Sequence, residues 1–160
     1  SGKVRTQGID LELMGALTPN WQVGAGYTYS QTQYRKDADK TKEGTKFDTD
    51  LPEHLFKLST TYTLPGELHK WRVGGNVYAQ SSIFNKGSNA FGNYHIDQGA
   101  YAVYGLMVGY KVSEKLDTRL NVNNVFDKKY YQGIASNNTW SPYDVYGDLR
   151  NFTVTARYSF

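Results

Sequence analysis

The sequence predicts an all-β protein, an antiparallel transmembrane β-barrel or a part of one. Three observations predict it: apolar and polar residues alternate over seven segments, long and short connections alternate between those segments, and aromatic residues make up 15% of the chain. Alternation with a period of two indicates strands with one apolar and one polar face. A membrane barrel needs such strands because lipid surrounds it while its lumen is wet.

The closing segment, residues 149–160, shows this pattern most clearly. From Phe152 to Phe160 every second residue is apolar, and the residues between them are Thr, Arg or Ser. We predict six further strands upstream with the same alternation, at residues 4–17, 21–34, 53–64, 71–83, 100–112 and 116–126. The chain therefore contains seven predicted antiparallel strands.

The connections between these strands alternate in length. Short turns are expected at residues 18–20, 65–70 and 113–115, and long connections at residues 35–50, 84–97 and 127–148, the first of them without any alternation. Outer-membrane barrels have short periplasmic turns and long extracellular loops. The order of the connections therefore predicts that the last strand descends and that Phe160 lies at the periplasmic rim.

Composition excludes several other classes of protein. No window approaches the roughly 18 apolar residues of a membrane-spanning helix. The mean hydropathy of -0.63 still suits a barrel, whose strands place only alternate residues in lipid. The chain has no cysteine, which removes disulfides and thiolate metal sites. Its net charge of +3 forms no basic stripe, so we expect no nucleic-acid partner.

Aromatic residues near the short turns form a candidate membrane girdle. Trp21 and Trp71 directly follow short turns, and Tyr110 and Phe160 fall at the same predicted rim. Trp and Tyr concentrate at membrane interfaces because their rings are apolar while their tips are polar. We expect these four residues to face lipid at the periplasmic side.

Aromatic residues of the long connections are the candidate ligand-binding residues. Each could simply pack within its own loop, but as a set they favour a binding surface beyond the membrane, where no core needs filling. The set is Phe91, Tyr94, Tyr130, Tyr131, Trp140, Tyr143 and Tyr146. From it we take Phe91, Tyr94, Tyr131, Trp140 and Tyr143 as the candidate ligand-binding residues. Lysines 36, 40, 42 and 46 of the first long connection could contact lipopolysaccharide phosphates, although acidic neighbours dilute their charge.

The sequence gives little support for a metal site or for catalysis. His54, His69 and His95 lie in separate segments without metal-ligand spacing, so surface or loop positions are the better interpretation. His95 and Asp97 could form an acid-base pair, but no nucleophile motif accompanies them. We therefore expect neither an enzyme nor a metal centre.

Seven strands do not complete a barrel. Closed single-chain bacterial barrels have an even number of strands, and an open sheet would expose two hydrogen-bonding edges to lipid. We therefore expect residues 1–160 to be part of a larger barrel, unless the chain contains one further strand.

Two stretches resemble a known family. The sequence LNVNNVFDKKYY at residues 120–131, with YGDLRNF at 146–152 and the terminal RYSF, resembles the end of TonB-dependent outer-membrane receptors, most closely the ferric-siderophore group. GIDLEL at residues 8–13 is similar to an upstream strand of the same barrel. The match covers most of the chain, and one departure from the family pattern is Leu149, where many relatives have proline.

The resemblance implies a 22-stranded barrel filled by an amino-terminal plug, with these seven strands as its last. It implies that the plug and the segment that engages TonB are absent from this chain. Iron would be carried within a ferric siderophore, and the protein itself would bind no cofactor. Further implied partners are outer-membrane lipid, lipopolysaccharide and the barrel-assembly machinery, and the implied location is the outer membrane of a Gram-negative bacterium.

Two alternatives remain open from the sequence. One is a complete eight-stranded outer-membrane barrel with lipid-modifying activity, and the other is a soluble ligand-binding barrel of the lipocalin kind. Alternation alone cannot distinguish the inside of a barrel from its outside. A small closed barrel, however, has little room for so many large inward side chains, which favours lipid outside.

Overall fold

A computed structural model describes residues 2–89, 92–135 and 143–160. Two single turns of 3-10 helix, Lys40–Lys42 and Gly66–Leu68, accompany the strands. The strands of the described residues are β1 (Lys3–Thr18), β2 (Trp21–Lys36), β3 (His54–Thr63), β4 (Trp71–Gln80), β5 (Ile83–Asn89), β6 (Gly92–Gln98), β7 (Tyr101–Lys111), β8 (Leu116–Asn123), β9 (Tyr131–Ala135), β10 (Tyr143–Tyr146) and β11 (Asn151–Tyr158).

Seven of these strands form one antiparallel sheet, the main sheet, in the order β1-β2-β3-β4-β7-β8-β11. They correspond one to one to the seven predicted segments, so the predicted all-β antiparallel architecture is confirmed. Strands that follow one another along the chain are neighbours, with β5–β6 and β9–β10 inserted as separate two-stranded hairpins. The main sheet is therefore a simple up-and-down meander, as a barrel wall requires.

Two predicted strands end three residues earlier than expected. The fourth was predicted to reach residue 83, but β4 ends at Gln80 because Ile83 already begins β5. The sixth was predicted to reach residue 126, but β8 ends at Asn123. The next residue, Asn124, has a φ of 49°, a left-handed conformation that cannot continue a strand.

The second and third long connections each contain a short two-stranded hairpin, which the sequence did not predict. β5 pairs with β6, and β9 pairs with β10. Their strands of four to seven residues are rich in Gly, Asn and Gln, so their apolar alternation is weak. Gly92, with a φ of 123°, begins β6 in a conformation that side-chain-bearing residues rarely adopt.

The register of the main sheet separates an apolar face from a polar face. Leu11 pairs with Tyr27, and Tyr27 pairs in turn with Phe56, which places these three residues in one row of the apolar face. The adjacent polar row contains Glu12 and Lys57. An open cavity of about 560 Å³ is lined largely by polar-face residues of β1 to β4, so the polar face is concave.

The two ends of the main sheet differ as predicted. The short-turn end carries the turns at residues 19–20, 64–70 and 112–115. The long-loop end carries residues 37–53, 81–100 and 124–150, which include both inserted hairpins. Among the described residues, none of the helices has the length and the apolarity that crossing a membrane requires.

Buried apolar side chains lie at the long-loop end rather than on the apolar face. Ile83 and Ile134 are each 2% exposed, whereas Val154 and Leu13 on the apolar face are 77% and 67% exposed. An exposed apolar surface of this extent marks a contact with lipid or with protein. The sheet is therefore polar on its concave side and has its apolar side turned outward.

Candidate ligand site at the long-loop end

The three long connections pack against one another. The backbone N–H of Phe84 in β5 donates to the carbonyl oxygen of Thr49 at 2.9 Å, which joins the first connection to the second. The backbone N–H of Tyr131 in β9 donates to Oε1 of Gln98 in β6 at 2.7 Å, which joins the second to the third. The long-loop end is thus one continuous structure above the main sheet.

Tyr94 lies within the β5–β6 hairpin. Its hydroxyl group donates to Oδ1 of Asn85 across the hairpin, although the distance of 3.5 Å makes this a weak hydrogen bond. Its ring lies over Gly87, where an added Cβ would come within 2.5 Å of the Tyr94 hydroxyl oxygen. Gly87 therefore provides the space that Tyr94 occupies.

Tyr131 stacks on Tyr146 across the β9–β10 hairpin. The ring centroids are 4.8 Å apart with an interplanar angle of 31°, and the hydroxyl oxygens are 3.3 Å apart. The hydrogen bond with Tyr146 raises the pKa of Tyr131, and the charge that Tyr146 carries when ionised raises it further. Tyr131 is therefore uncharged at neutral pH, and the hairpin presents two aromatic rings at its surface.

The other three sequence-predicted ligand residues cannot be placed relative to this pair. Phe91 and Trp140 lie outside the described residues. The backbone of Tyr143 begins β10 opposite Ala135, but its side chain is not described. Of the five candidates, the structure therefore locates the side chains of Tyr94 and Tyr131, which lie on different hairpins.

A tyrosine cluster lies on the polar face below these hairpins, and only its loop member, Tyr130, was among the aromatic residues that the sequence singled out. The hydroxyl groups of Tyr78 and Tyr101 both donate to Oε1 of Gln80, at 2.8 and 3.1 Å. Tyr130 stacks on Tyr101 with ring centroids 4.5 Å apart. Gln80 is 7% exposed, and its Nε2 has no hydrogen-bond partner among the described residues. The available signal was Tyr78, a large aromatic residue on an otherwise small and polar strand face.

Gly147 allows Tyr130 to join this cluster. The backbone N–H of Gly147 donates to the carbonyl oxygen of Tyr130 at 2.9 Å, and the Tyr130 ring lies directly over the glycine. A Cβ at position 147 would overlap three carbon atoms of that ring. Burial raises the pKa of the Tyr130 hydroxyl group, which therefore remains protonated and uncharged at neutral pH.

Asn124 holds the turn that follows β8. Its Nδ2 donates to the carbonyl oxygens of Lys128 and Asp148, at 2.8 and 2.9 Å, and its Oδ1 accepts from the backbone N–H of Lys128 at 2.8 Å. The backbone N–H of Arg150 donates to Oδ1 of Asp127 at 2.9 Å. The most specific part of the sequence resemblance, NNVFDKKYY, therefore contains a clamp between the turn and the entrance to β11.

The three histidines lie apart from one another, each with its own partner. His54 bonds to the hydroxyl group of Tyr27 at 2.8 Å, and His69 lies in a short turn against a backbone carbonyl oxygen. Nε2 of His95 is 3.1 Å from Oδ1 of Asp97, and both side chains are more than half exposed. The described residues contain no group of three or more His, Cys, Asp or Glu placed to hold a metal ion.

The four predicted girdle residues lie at the short-turn end. Trp21 donates from Nε1 to the hydroxyl oxygen of Thr60 at 2.7 Å, and Trp71 lies against Tyr110 with ring centroids 4.6 Å apart. Trp21 and Trp71 are each 41% exposed, and Phe160 is fully exposed. Their role as a membrane girdle stays a prediction.

Comparison with known proteins identifies the family. The model of the TonB dependent receptor-like β-barrel family matches residues 1–125. The chain is 37% identical over 160 residues to the ferric-pyoverdine M114 receptor PbuA of Pseudomonas sp. strain M114, with 100% of the chain and 19% of the receptor covered. It is 42% identical over 157 residues to the ferric-pyoverdine 358 receptor of Pseudomonas putida, with 97% and 17% covered.

Solved structures agree with the sequence matches. The chain superposes on Pseudomonas aeruginosa FpvA bound to a heterologous pyoverdine and iron with a TM-score of 0.86 at 34% identity, covering 99% of this chain and 20% of that one. The chain thus spans about a fifth of the length of the curated relatives that it matches. Its location is the outer membrane of a Gram-negative bacterium, as for these relatives. The chain belongs to the TonB-dependent receptor family and forms part of the family's β-barrel.

Proposed function

We propose that this chain is the carboxy-terminal wall of an outer-membrane receptor that takes up a ferric siderophore with energy supplied through TonB. The observation that carries the proposal is similarity over nearly the whole chain to receptors of this kind. Four of the matched relatives are named as receptors for ferric pyoverdine, at 35% to 42% identity over 97% to 100% of the chain.

Ferric pyoverdine is the ligand class that we propose first. The matched receptor of the catecholate class, Fiu of Escherichia coli, is 31% identical, lower than each of the four pyoverdine receptors. Extracellular loops carry ligand specificity on a shared barrel, because they tolerate change while the strands hold them in place. A ferric catecholate is therefore the alternative ligand, and iron uptake distinguishes it from ferric pyoverdine.

In the proposed receptor, residues 1–160 supply wall, loops and the closing strand of a 22-stranded barrel. The plug, the segment that engages TonB and the other strands belong to the rest of the polypeptide. The outward apolar face contacts outer-membrane lipid, the long-loop end faces lipopolysaccharide, and Phe160 is presented to the barrel-assembly machinery. The role of the chain is binding and passage rather than catalysis.

The proposed ligand site is the vestibule formed by the hairpins of the long-loop end. The stacked rings of Tyr131 and Tyr146, at the surface of the β9–β10 hairpin, support this proposal. Rigid aromatic rings with nearby polar groups suit a planar or partly apolar ligand. Iron is the cargo in this scheme and stays coordinated by the siderophore throughout.

Uptake of radioactive iron tests the function. A strain that lacks its own receptors and expresses the full-length receptor is given ferric pyoverdine or a ferric catecholate. We expect pyoverdine-bound iron to accumulate only while TonB is present. Accumulation from the catecholate alone would contradict the ligand class, and accumulation of neither complex would contradict the proposed function.

Paired alanine substitutions test the vestibule. We expect Tyr131→Ala with Trp140→Ala in the full-length receptor to weaken ferric pyoverdine binding by about tenfold or more, since aromatic anchors dominate binding energy. The matched control is Tyr104→Ala with Phe126→Ala, which removes an aromatic pair whose centroids are 5.4 Å apart at the edge of the apolar face. Unchanged affinity in the Tyr131 and Trp140 variant would contradict this site.

A further inference from the structure

Four cations gather at the long-loop end of β1 and β2. Lys3, Arg5, Arg35 and Lys36, which we call the basic cluster, line one open cavity of about 590 Å³. All four are exposed, and none of them forms an ion pair with another described residue. The cavity has no carboxylate in its lining.

The register places Arg5 on the lipid-facing side of the sheet. Arg5 pairs with Gln33 and Ile9 pairs with Tyr29, in an unbroken register that keeps Arg5 on the apolar face. Beyond the last apolar row, that of Ile9 and Tyr29, the same face continues with Gln7 paired to Gln31. The outward surface therefore changes from apolar, to neutral polar, to basic within four residues.

The dimensions place this change at the membrane surface. From Leu17 to Ile9 the strand spans about 27 Å, which at a tilt of about 45° covers most of the apolar band of about 25 Å. Arg5 lies about 14 Å further along the strand, or roughly 10 Å along the membrane normal. Its guanidinium group thus reaches the layer of lipid headgroups on the extracellular side.

We propose that the basic cluster binds phosphate groups of lipid in the outer leaflet, such as those of lipopolysaccharide. Arginine presents a planar fork of donors that matches a phosphate, and lysine adds a point charge. Lysines 40, 42 and 46, which the sequence analysis considered, suit this role less well. Lys46 is 3.1 Å from the carboxylate of Glu53, and Lys40 and Lys42 lie in a turn capped by Asp39.

The proposed phosphate site rests on the position of the chain in the outer membrane and not on the identity of the siderophore. Two sources could supply the phosphate, a lipid or free inorganic phosphate. The position of Arg5 on the lipid-facing side favours lipid, because a free anion would not need a site that continues the apolar face.

Titration of the detergent-purified, full-length receptor with lipid A tests the proposal. Arg5→Gln with Arg35→Gln is compared with the matched control Lys40→Gln with Lys42→Gln, and bound lipid is measured by native mass spectrometry. We expect the arginine variant to bind lipid A carrying both phosphates about 30-fold more weakly, from about 1 kcal/mol for each cation. The control should remain within about twofold of the unchanged receptor, since it removes charge beyond the lipid-facing surface.

Three outcomes would overturn the proposal. They are equal affinity for lipid A stripped of its phosphates, equal weakening in the lysine control, and displacement of lipid A by inorganic phosphate at concentrations near its own dissociation constant. Uptake of ferric pyoverdine is measured on the same variants. Retained uptake together with weakened lipid binding would support the phosphate site independently of the transport function.

Discussion

The main sheet and the long-loop end of this chain are stabilised in different ways. On the apolar face of the sheet, large side chains such as Val154 are 77% exposed, and the strands are joined by regular backbone pairing. At the long-loop end Ile134 is 2% exposed, and single polar side chains such as Asn124 hold three backbone groups at once. The stability of the main sheet therefore depends on whether each residue is apolar or polar. The stability of the long-loop end depends on which particular residue occupies each position.

This difference follows from the surroundings of each region. A strand in a membrane barrel needs apolar side chains toward lipid and polar side chains toward the lumen, and many residues meet either need. A long loop has no such rule, so its backbone groups must find specific partners. Substitutions that respect or violate these two requirements test the comparison directly.

The largest effect is expected for a charge on the lipid-facing side of the sheet. Val154 lies six residues before Phe160, or roughly 14 Å along the membrane normal from the rim, which is near the midplane of the apolar band. We expect Val154→Arg to destabilise the full-length receptor by about 3 kcal/mol in the urea dependence of its unfolding from vesicles.

Thr153→Arg is the matched control for Val154→Arg. Thr153 is the neighbouring residue on β11, is also exposed, and lies on the polar face opposite Asn121. We expect a change within about 0.5 kcal/mol, as for other solvated surface positions. Equal destabilisation by the two substitutions would show that the faces of the sheet have been assigned wrongly.

The strands could be predicted because their signal is local. Alternation over eight to sixteen residues identified each strand of the main sheet, and the turn predicted at residues 18–20 lies within one residue of the end of β1 at Thr18. The errors occurred where a backbone conformation, rather than hydrophobicity, ends a strand. Asn124 lies in an alternating stretch, and only its φ of 49° shows that β8 has ended.

The candidate site could be predicted only in part because its contacts are not local. The aromatic residues of the loops were visible in the sequence, and Tyr131 does stack on Tyr146. The tyrosine cluster brings together tyrosines that are more than 20 positions apart in the sequence. Tyr78 and Tyr101 meet through Gln80, and the ring of Tyr130 lies against that of Tyr101. Strand periodicity assigns a face to each residue but does not show which residues of that face meet.

The next largest effect is expected at the Asn124 clamp. Asn124→Ala removes three hydrogen bonds from a residue that is 3% exposed, and it places alanine at positive φ. We expect a loss of about 2 kcal/mol of local stability, measured by hydrogen exchange of residues 124–128 and 148–150 in the full-length receptor.

Two further variants separate the causes of that loss. Asn124→Gly keeps the backbone conformation but removes the hydrogen bonds, so it should retain most of the effect. Asn123→Ala, which removes an exposed bond of 2.7 Å to Asn151, should change stability by less than about 0.5 kcal/mol. Similar protection in Asn124→Gly and in the unchanged receptor would show that the clamp contributes nothing.

A smaller effect is expected at Gly147. Gly147→Ala would drive a Cβ into the ring of Tyr130 and push that ring off Tyr101. We expect a cost of about 1.5 kcal/mol in hydrogen exchange of residues 130–134, as for other overpacked sites. Gly133→Ala in β9 is the matched control, since a Cβ there meets no atom within 4 Å. Loss of protection in both variants would show that the loops do not depend on this one contact.

The smallest effect is expected from the Tyr131 and Tyr146 pair. The hydrogen bond with Tyr146 raises the pKa of Tyr131 above its ordinary value. Because the pKa of Tyr131 is raised in the folded state, the stabilisation from this hydrogen bond is fully present below the unfolded pKa of about 10. It is lost as pH rises through the pKa of the folded state. The pair should therefore be unaffected at neutral pH and separate only in alkali.

Tyrosinate absorbance of the full-length receptor tests this last prediction. The titration of Tyr131 is obtained as the difference between the unchanged receptor and Tyr131→Phe, and it is then repeated on a Tyr146→Phe background. We expect the Tyr131 midpoint to fall toward its ordinary value when Tyr146 is replaced, whereas Tyr94→Phe on the other hairpin should leave it unchanged. A Tyr131 midpoint that does not depend on Tyr146 would mean that this aromatic pair needs only an aromatic residue at each position. The long-loop end would then resemble the main sheet, where the class of a residue is sufficient.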